Sequence, residues 1–183
     1  MITIDEAKTN SDFSGIEYEN WEEMNNSDKI DIIQKVVNYE AIKLGIPSGK
    51  VVTDKMDDVT IALQGNRGIF YNSKKLKNIS FNEAVYSAIH EVYHLYQKNL
   101  IGLYNKLDED EKNLYLFDEL HIKEYIKEFS DCKIYDTKEH SDYEDYLSYV
   151  NQYAEADVNL YAKKEIDNVL REIGIEVENK EAN

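Results

Sequence analysis

The stretch Ala88-Ile89-His90-Glu91-Val92-Tyr93-His94-Leu95-Tyr96-Gln97 decides how the rest of this chain is read. On a helix, residues four apart lie nearly above one another. His90 and His94 can therefore offer two imidazole nitrogens to a single metal ion. Glu91, next in line, can reach a water on that ion and take its proton.

The flanks predict the helix. Ser80 or Asn82 is placed to cap it, and Glu83 follows Ser80 at the capping-box offset. Val85, Ile89, Val92, Tyr96 and Leu100, with Ala84 and Ala88, repeat at helical period. Glu83, Ser87, His90, His94 and Gln97 share the opposite face. No Gly or Pro interrupts residues 80–101. The histidines thus stand on a polar seam of a helix built to be buried.

Working outward toward the N-terminus, Val59 to Leu63 and Gly68 to Tyr71 read as strands. Gln64-Gly65-Asn66-Arg67 between them reads as a hairpin turn. Lys50 to Thr53 is a third, brief strand. Before it, Ser27 or Asp28 can cap a helix to about Leu44, with Ile30, Ile33, Val37, Ala41 and Leu44 as its buried stripe. Gly45 stands where a terminating glycine belongs, and Pro47 follows. Residues 1–18 are polar and weakly periodic, and read as a loose arm.

Toward the C-terminus, residues 102–140 exceed what a connection needs. Asp108 to Lys112 is a run of charge, and Leu114 to Phe129 has helical character. The segment reads either as a selecting element beside the cleft or as an extra helical pair that enlarges the core. A last long helix is predicted from about Tyr143 to Ile173. Leu147, Val150, Ala154, Val158, Ala162, Val169 and Ile173 form its stripe, and Gly174 ends it. The tail 176–183 is polar. One domain over 19–175 is expected, in an α+β, mainly helical fold with a small antiparallel or mixed sheet.

A catalytic zinc takes three protein ligands and leaves a position open. Two histidines therefore call for a third donor: His121, His140, or one of many carboxylates. Glu155 stands out, in Tyr153-Ala154-Glu155-Ala156-Asp157-Val158-Asn159-Leu160-Tyr161-Ala162. Its neighbours Ala154, Ala156, Val158 and Ala162 suit close packing against another helix. Asn159, one turn on, shares its face and is placed to hydrogen-bond a metal-binding imidazole. Asp157 is taken with it as a supporting residue.

Charge excludes other classes. The 183 residues carry a formal net charge of −16. Phosphate backbones and anionic membrane surfaces require clustered Lys and Arg, so no nucleic-acid or membrane partner is expected. No run approaches a membrane span, and no basic segment followed by an apolar run opens the chain. Cys132 is the single cysteine, so no internal disulfide is expected. These features predict a cytoplasmic protein; export by a signal-free route is equally compatible.

His90-Glu91-x-x-His94 together with Glu155-x-Asp157-x-Asn159-x-Tyr161-Ala162 resembles the ImmA/IrrE-type zinc peptidases, whose second signature is similar to Glu-x-Glu-Ala-Asn-x-Phe-Ala. The resemblance implies a zincin-like (gluzincin-like) fold, Zn2+ on His90, His94 and Glu155, and Glu91 as general base. It implies hydrolysis of a protein or peptide substrate lying along a sheet edge, Val59–Leu63 or Gly68–Tyr71. His121, His140, Tyr143 and Tyr149 are the candidates for stabilising the tetrahedral oxygen. The chain departs from the family in Asp157, in Val158, and in the length of 102–140. Two further expectations share this fold: a metallopeptidase toxin domain, and a catalytically silent zincin that binds proteins.

Overall fold

The computed structural model describes residues 2, 7, 11–16, 18–65, 68–114, 119–130 and 152–177. They form an α+β fold, mainly helical, with one three-stranded mixed sheet. No helix among the described residues is long and apolar enough to cross a membrane.

A 3-10 turn at Tyr18–Glu23 leads into helix α1, Asn26–Lys43. The cap of α1 is Asn25, two or three residues earlier than expected. Its side chain accepts the amide N–H groups of Ser27 and Asp28, so the two expected caps are themselves capped. The helix ends as predicted. Gly45 adopts φ 68°, and the Ile46 amide turns back to the Ala41 carbonyl.

Strand β1 is Lys50–Asp54, β2 is Ala62–Gly65 and β3 is Gly68–Asn72. Their order is β1-β3-β2. β1 runs parallel to β3, while β2 pairs antiparallel with β3, Gly65 opposite Gly68. Residues 66 and 67 of the expected turn lie outside the described residues. The second strand starts later than predicted for a local reason. Asp57 Oδ1 accepts the amides of both Val59 and Thr60, so these residues belong to a turn. Gly68 has φ 155°, and a Cβ there would lie 2.1 Å from the Lys50 carbonyl oxygen. The close approach of β3 to β1 therefore requires glycine.

Helix α2, Phe81–Tyr104, carries the motif. Of the two possible caps Ser80 is used, and the full capping box with Glu83 is formed. The Tyr71 hydroxyl donates to the Ala84 carbonyl, tying β3 to the first turn of α2. On the same side, Trp21 Nε1 donates to Ile79 O, and the buried Lys29 ammonium donates to Leu76 O and Lys77 O. The backbone just before α2 is thus fixed by residues from two other elements.

Helices α3, Glu109–Leu114, and α4, Glu119–Ser130, come from the long intervening segment. Helix α5 is Tyr153–Ile173, ending at Gly174 with φ 96°. It begins later than the expected Tyr143. Gln152 is extended, with ψ 141°, and Leu147 and Val150 lie outside the described residues. α2 is the centre of the molecule. It packs against α1, β2, α4 and α5. Ile33, Val37, Ile69, Val85, Ile89, Val92, Ala162 and Val169 are among the residues that fill the core between them. The N-terminal arm is anchored where it is described: Ile2 exchanges backbone hydrogen bonds with Ser48, and Ala7 is fully buried.

Candidate metal centre

α2 and α5 cross antiparallel, as two side-chain bonds fix. Tyr86, early in α2, donates to Asn159, late in the first half of α5. Gln97, eleven positions further along α2 by its number, donates to the carbonyl of Ala154 at the start of α5. Between these two ties lie His90, His94 and Glu155.

The three donors meet. His94 Nε2 is 3.1 Å from Glu155 Oε1, and His90 Nε2 is 3.5 Å from Glu155 Oε2. The two Nε2 atoms are 3.2 Å apart. Among the described residues these three side chains form a metal-donor group, with donor atoms all within 4.8 Å of one another. Around a small tetrahedral ion with metal–ligand bonds of about 2.0–2.1 Å, neighbouring donors sit roughly 3.3 Å apart. The observed separations bracket that value. Two imidazoles and one carboxylate fit the donor set of a divalent metal ion.

Electrostatics favour a cation at this point. His94 and Glu155 are buried, and His90 is partly buried. Burial alone would raise the Glu155 pKa, but hydrogen bonds and charge from His90 and His94 hold it far below the usual carboxylate range. Burial would lower the His94 pKa, yet Glu155 and Glu91 lift it above the ordinary histidine value. Each group thus favours the charged form of the other across their hydrogen bond. Glu91 is buried on the same helix, and its charge adds to burial in raising the Tyr71 pKa on β3.

The supporting residues differ from the sequence reading. Asn159 does not orient an imidazole; its Oδ1 accepts the Tyr86 hydroxyl at 2.9 Å. Asp157 accepts the Tyr125 hydroxyl from α4. The imidazole partner is Gln97, whose Oε1 lies 3.0 Å from His94 Nδ1. Its position three residues after His94, on the same helical face, was the available signal. Glu128 and Phe129 of α4 were not anticipated. Glu128 accepts the backbone amides of Tyr153 and Ala154, and the Phe129 ring meets the His94 ring edge-on at 6.3 Å. Ile122 and Tyr125 of α4 are buried, while residues 115–118 and 131–140 of the intervening segment lie outside the described residues. His121 is exposed on α4 beside Tyr153 and is not in the donor group. His140, Tyr143 and Tyr149 lie outside the described residues.

Compared with protein-family models, with curated proteins and with solved structures, the chain matches none.

Proposed function

We propose that this chain is a zinc-dependent metallopeptidase of zincin type. One observation carries the reading: His90, His94 and Glu155 converge at the spacing of ligands around a tetrahedral ion, with Glu91 buried on the helix that supplies both histidines. His90, His94 and Glu155 would hold the ion, which would supply Lewis-acid chemistry, acidifying a bound water and polarising the scissile carbonyl. Glu91 takes the proton of the attacking water and passes it to the leaving amine.

The sheet supports a polypeptide substrate. β2 is one of the two edge strands of the order β1-β3-β2 and packs against α2, with Leu63 exposed on it. An extended peptide laid along β2 would gain main-chain hydrogen bonds beside the metal. Of the two edges expected, Gly68–Tyr71 falls on β3, the central strand, and Val59–Leu63 shifts to β2 at Ala62–Gly65.

The test is metal analysis of purified protein followed by hydrolysis of a diverse peptide library. Stoichiometric zinc, with cleavage that disappears in Glu91→Gln, supports the reading. Absence of zinc from protein refolded with the metal sinks it. Stoichiometric zinc without cleavage of any peptide makes the site a metal centre of a binding protein.

A further inference from the structure

Gln97 is fully buried, and its carboxamide bridges the two metal-bearing helices. Its Nε2 lies 3.1 Å from the carbonyl oxygen of Ala154, the residue before Glu155. Its Oε1 lies 3.0 Å from Nδ1 of His94. A carbonyl oxygen can only accept, so the NH2 of Gln97 must face Ala154. The amide orientation is thereby settled, and the oxygen must face His94. An oxygen that only accepts then requires the proton on Nδ1 of His94.

We infer that Gln97 is the positioning residue of the metal centre. It locks the neutral His94 into the Nδ1–H tautomer and fixes the backbone that carries Glu155. The consequence lies at the other ring nitrogen. With the proton on Nδ1, Nε2 of His94 keeps its lone pair, and that lone pair faces Glu155 Oε1 at 3.1 Å and His90 Nε2 at 3.2 Å. Acceptors held this close repel unless a proton or a metal ion stands between them, and at a pH where the ring is neutral a metal ion takes that place. One amide therefore does two things: it selects the nitrogen that binds the ion, and it sets the distance between the histidine and carboxylate ligands. Neither is available to Asn159, which is occupied by Tyr86.

This inference rests on the metal reading for its consequence but not for its first test. Histidine-labelled protein is examined by long-range 1H–15N NMR at pH 8.5 without metal, and again after loading with zinc. The expected result is an Nδ1–H, Nε2-free ring for His94 without metal and coordination through Nε2 with it. An Nε2–H ring in the metal-free wild type overturns the inference, whatever the protein's zinc affinity. Protein that shows the Nδ1–H ring but takes up no zinc upholds the positioning contact and refutes the metal reading instead.

Two variants then separate positioning from mere packing. Gln97→Met keeps the length but removes both bonds, and Gln97→Glu keeps an acceptor for Nδ1–H. Zinc affinity is read by competition with a chromophoric chelator. Gln97→Met is expected to lose about 10–100-fold in affinity. Gln97→Glu is expected to recover at least part of that loss. Affinities for both within twofold of wild type overturn the inference. If Gln97→Met fails to fold, the tautomer spectrum of the wild type decides alone.

Discussion

The carboxylate of Glu128 on α4 accepts the backbone amide of Ala154 at the first turn of α5, one residue before Glu155. It accepts the Tyr153 amide as well, while Gln152, at the N-cap position, makes no side-chain cap bond. A helix N-terminus exposes unpaired N–H groups and a partial positive charge. Here the compensating anion comes from another helix. Glu128→Ala is expected to lower stability by about 1–2 kcal/mol, as loss of an N-cap does, and to weaken zinc binding. Glu128→Gln, which still accepts hydrogen bonds, should lose less. Urea melts in the presence of a chelator, with zinc competition alongside, check this; wild-type values in Glu128→Ala would remove α4 from the site's support.

Zinc should stabilise the folded chain, since the donors are assembled only there. At zinc a hundredfold above Kd the gain is about 2.7 kcal/mol, roughly 5–10 °C in Tm for a domain of this size. Differential scanning calorimetry with and without a chelator measures it. The increment should vanish in Glu155→Ala.

Glu91→Gln preserves size and packing but removes the base. Zinc content and melting behaviour are expected to match wild type, while peptide hydrolysis falls by about 10²-fold or more. Retention of full activity would assign proton transfer to another group.

A pH effect follows from Glu40, which is fully buried far along α1. Burial raises its pKa from 4.5 to about 7, the Glu165 charge adds to this, and the Tyr161 hydroxyl and Lys43 pull the other way. Tyr161 donates to Oε2 at 2.8 Å, and Oε1 is buried without a hydrogen bond among the described residues. The folded state prefers the neutral acid, so folding binds a proton between pH 4.5 and 7. The favourable contribution is fully present below pH 4.5 and is lost as pH rises through 7. Glu40→Gln stays neutral throughout. Relative to wild type it should gain stability across that window, by about 3 kcal/mol in total at most. Parallel denaturation curves from pH 4 to 8 that keep a constant offset would refute this.

Gly68→Ala is expected to disrupt the β1–β3 pairing. Its Cβ would meet Lys50 O at 2.1 Å in a backbone conformation with φ 155°. A loss of several kcal/mol or failure to fold is expected, exceeding the roughly 1 kcal/mol centre of ordinary substitutions. Thermal melts of the variant decide it.

The donor set was legible because helical period alone brings His90 and His94 together, and the run of small residues around Glu155 marked a helix meant for close packing. The capping box at Ser80 was equally plain. The Tyr86 partner of Asn159 and the Ala154 partner of Gln97 were not, because they depend on the antiparallel register of α2 against α5. Neither helix encodes that register in its own period. Glu128 was hidden for a related reason: its cap is supplied across space, and no offset in sequence reveals it. The late start of β2 was different, since Asp57 stood in the sequence as a turn-former and outweighed the β-branched Val59 and Thr60.

The two histidines and the glutamate reside on α2 and α5, with α3 and α4 strung between them. An ion held by all three is thus a removable cross-link that closes a long loop of chain. Because the ion leaves on unfolding, it stabilises only by binding the folded chain, where that loop is already closed. Closure entropy grows slowly, by only ~0.6 kcal/mol for each doubling of the loop. The intervening segment is therefore free to grow or shrink over evolutionary time at little thermodynamic penalty, provided one acidic side chain still reaches the first turn of α5.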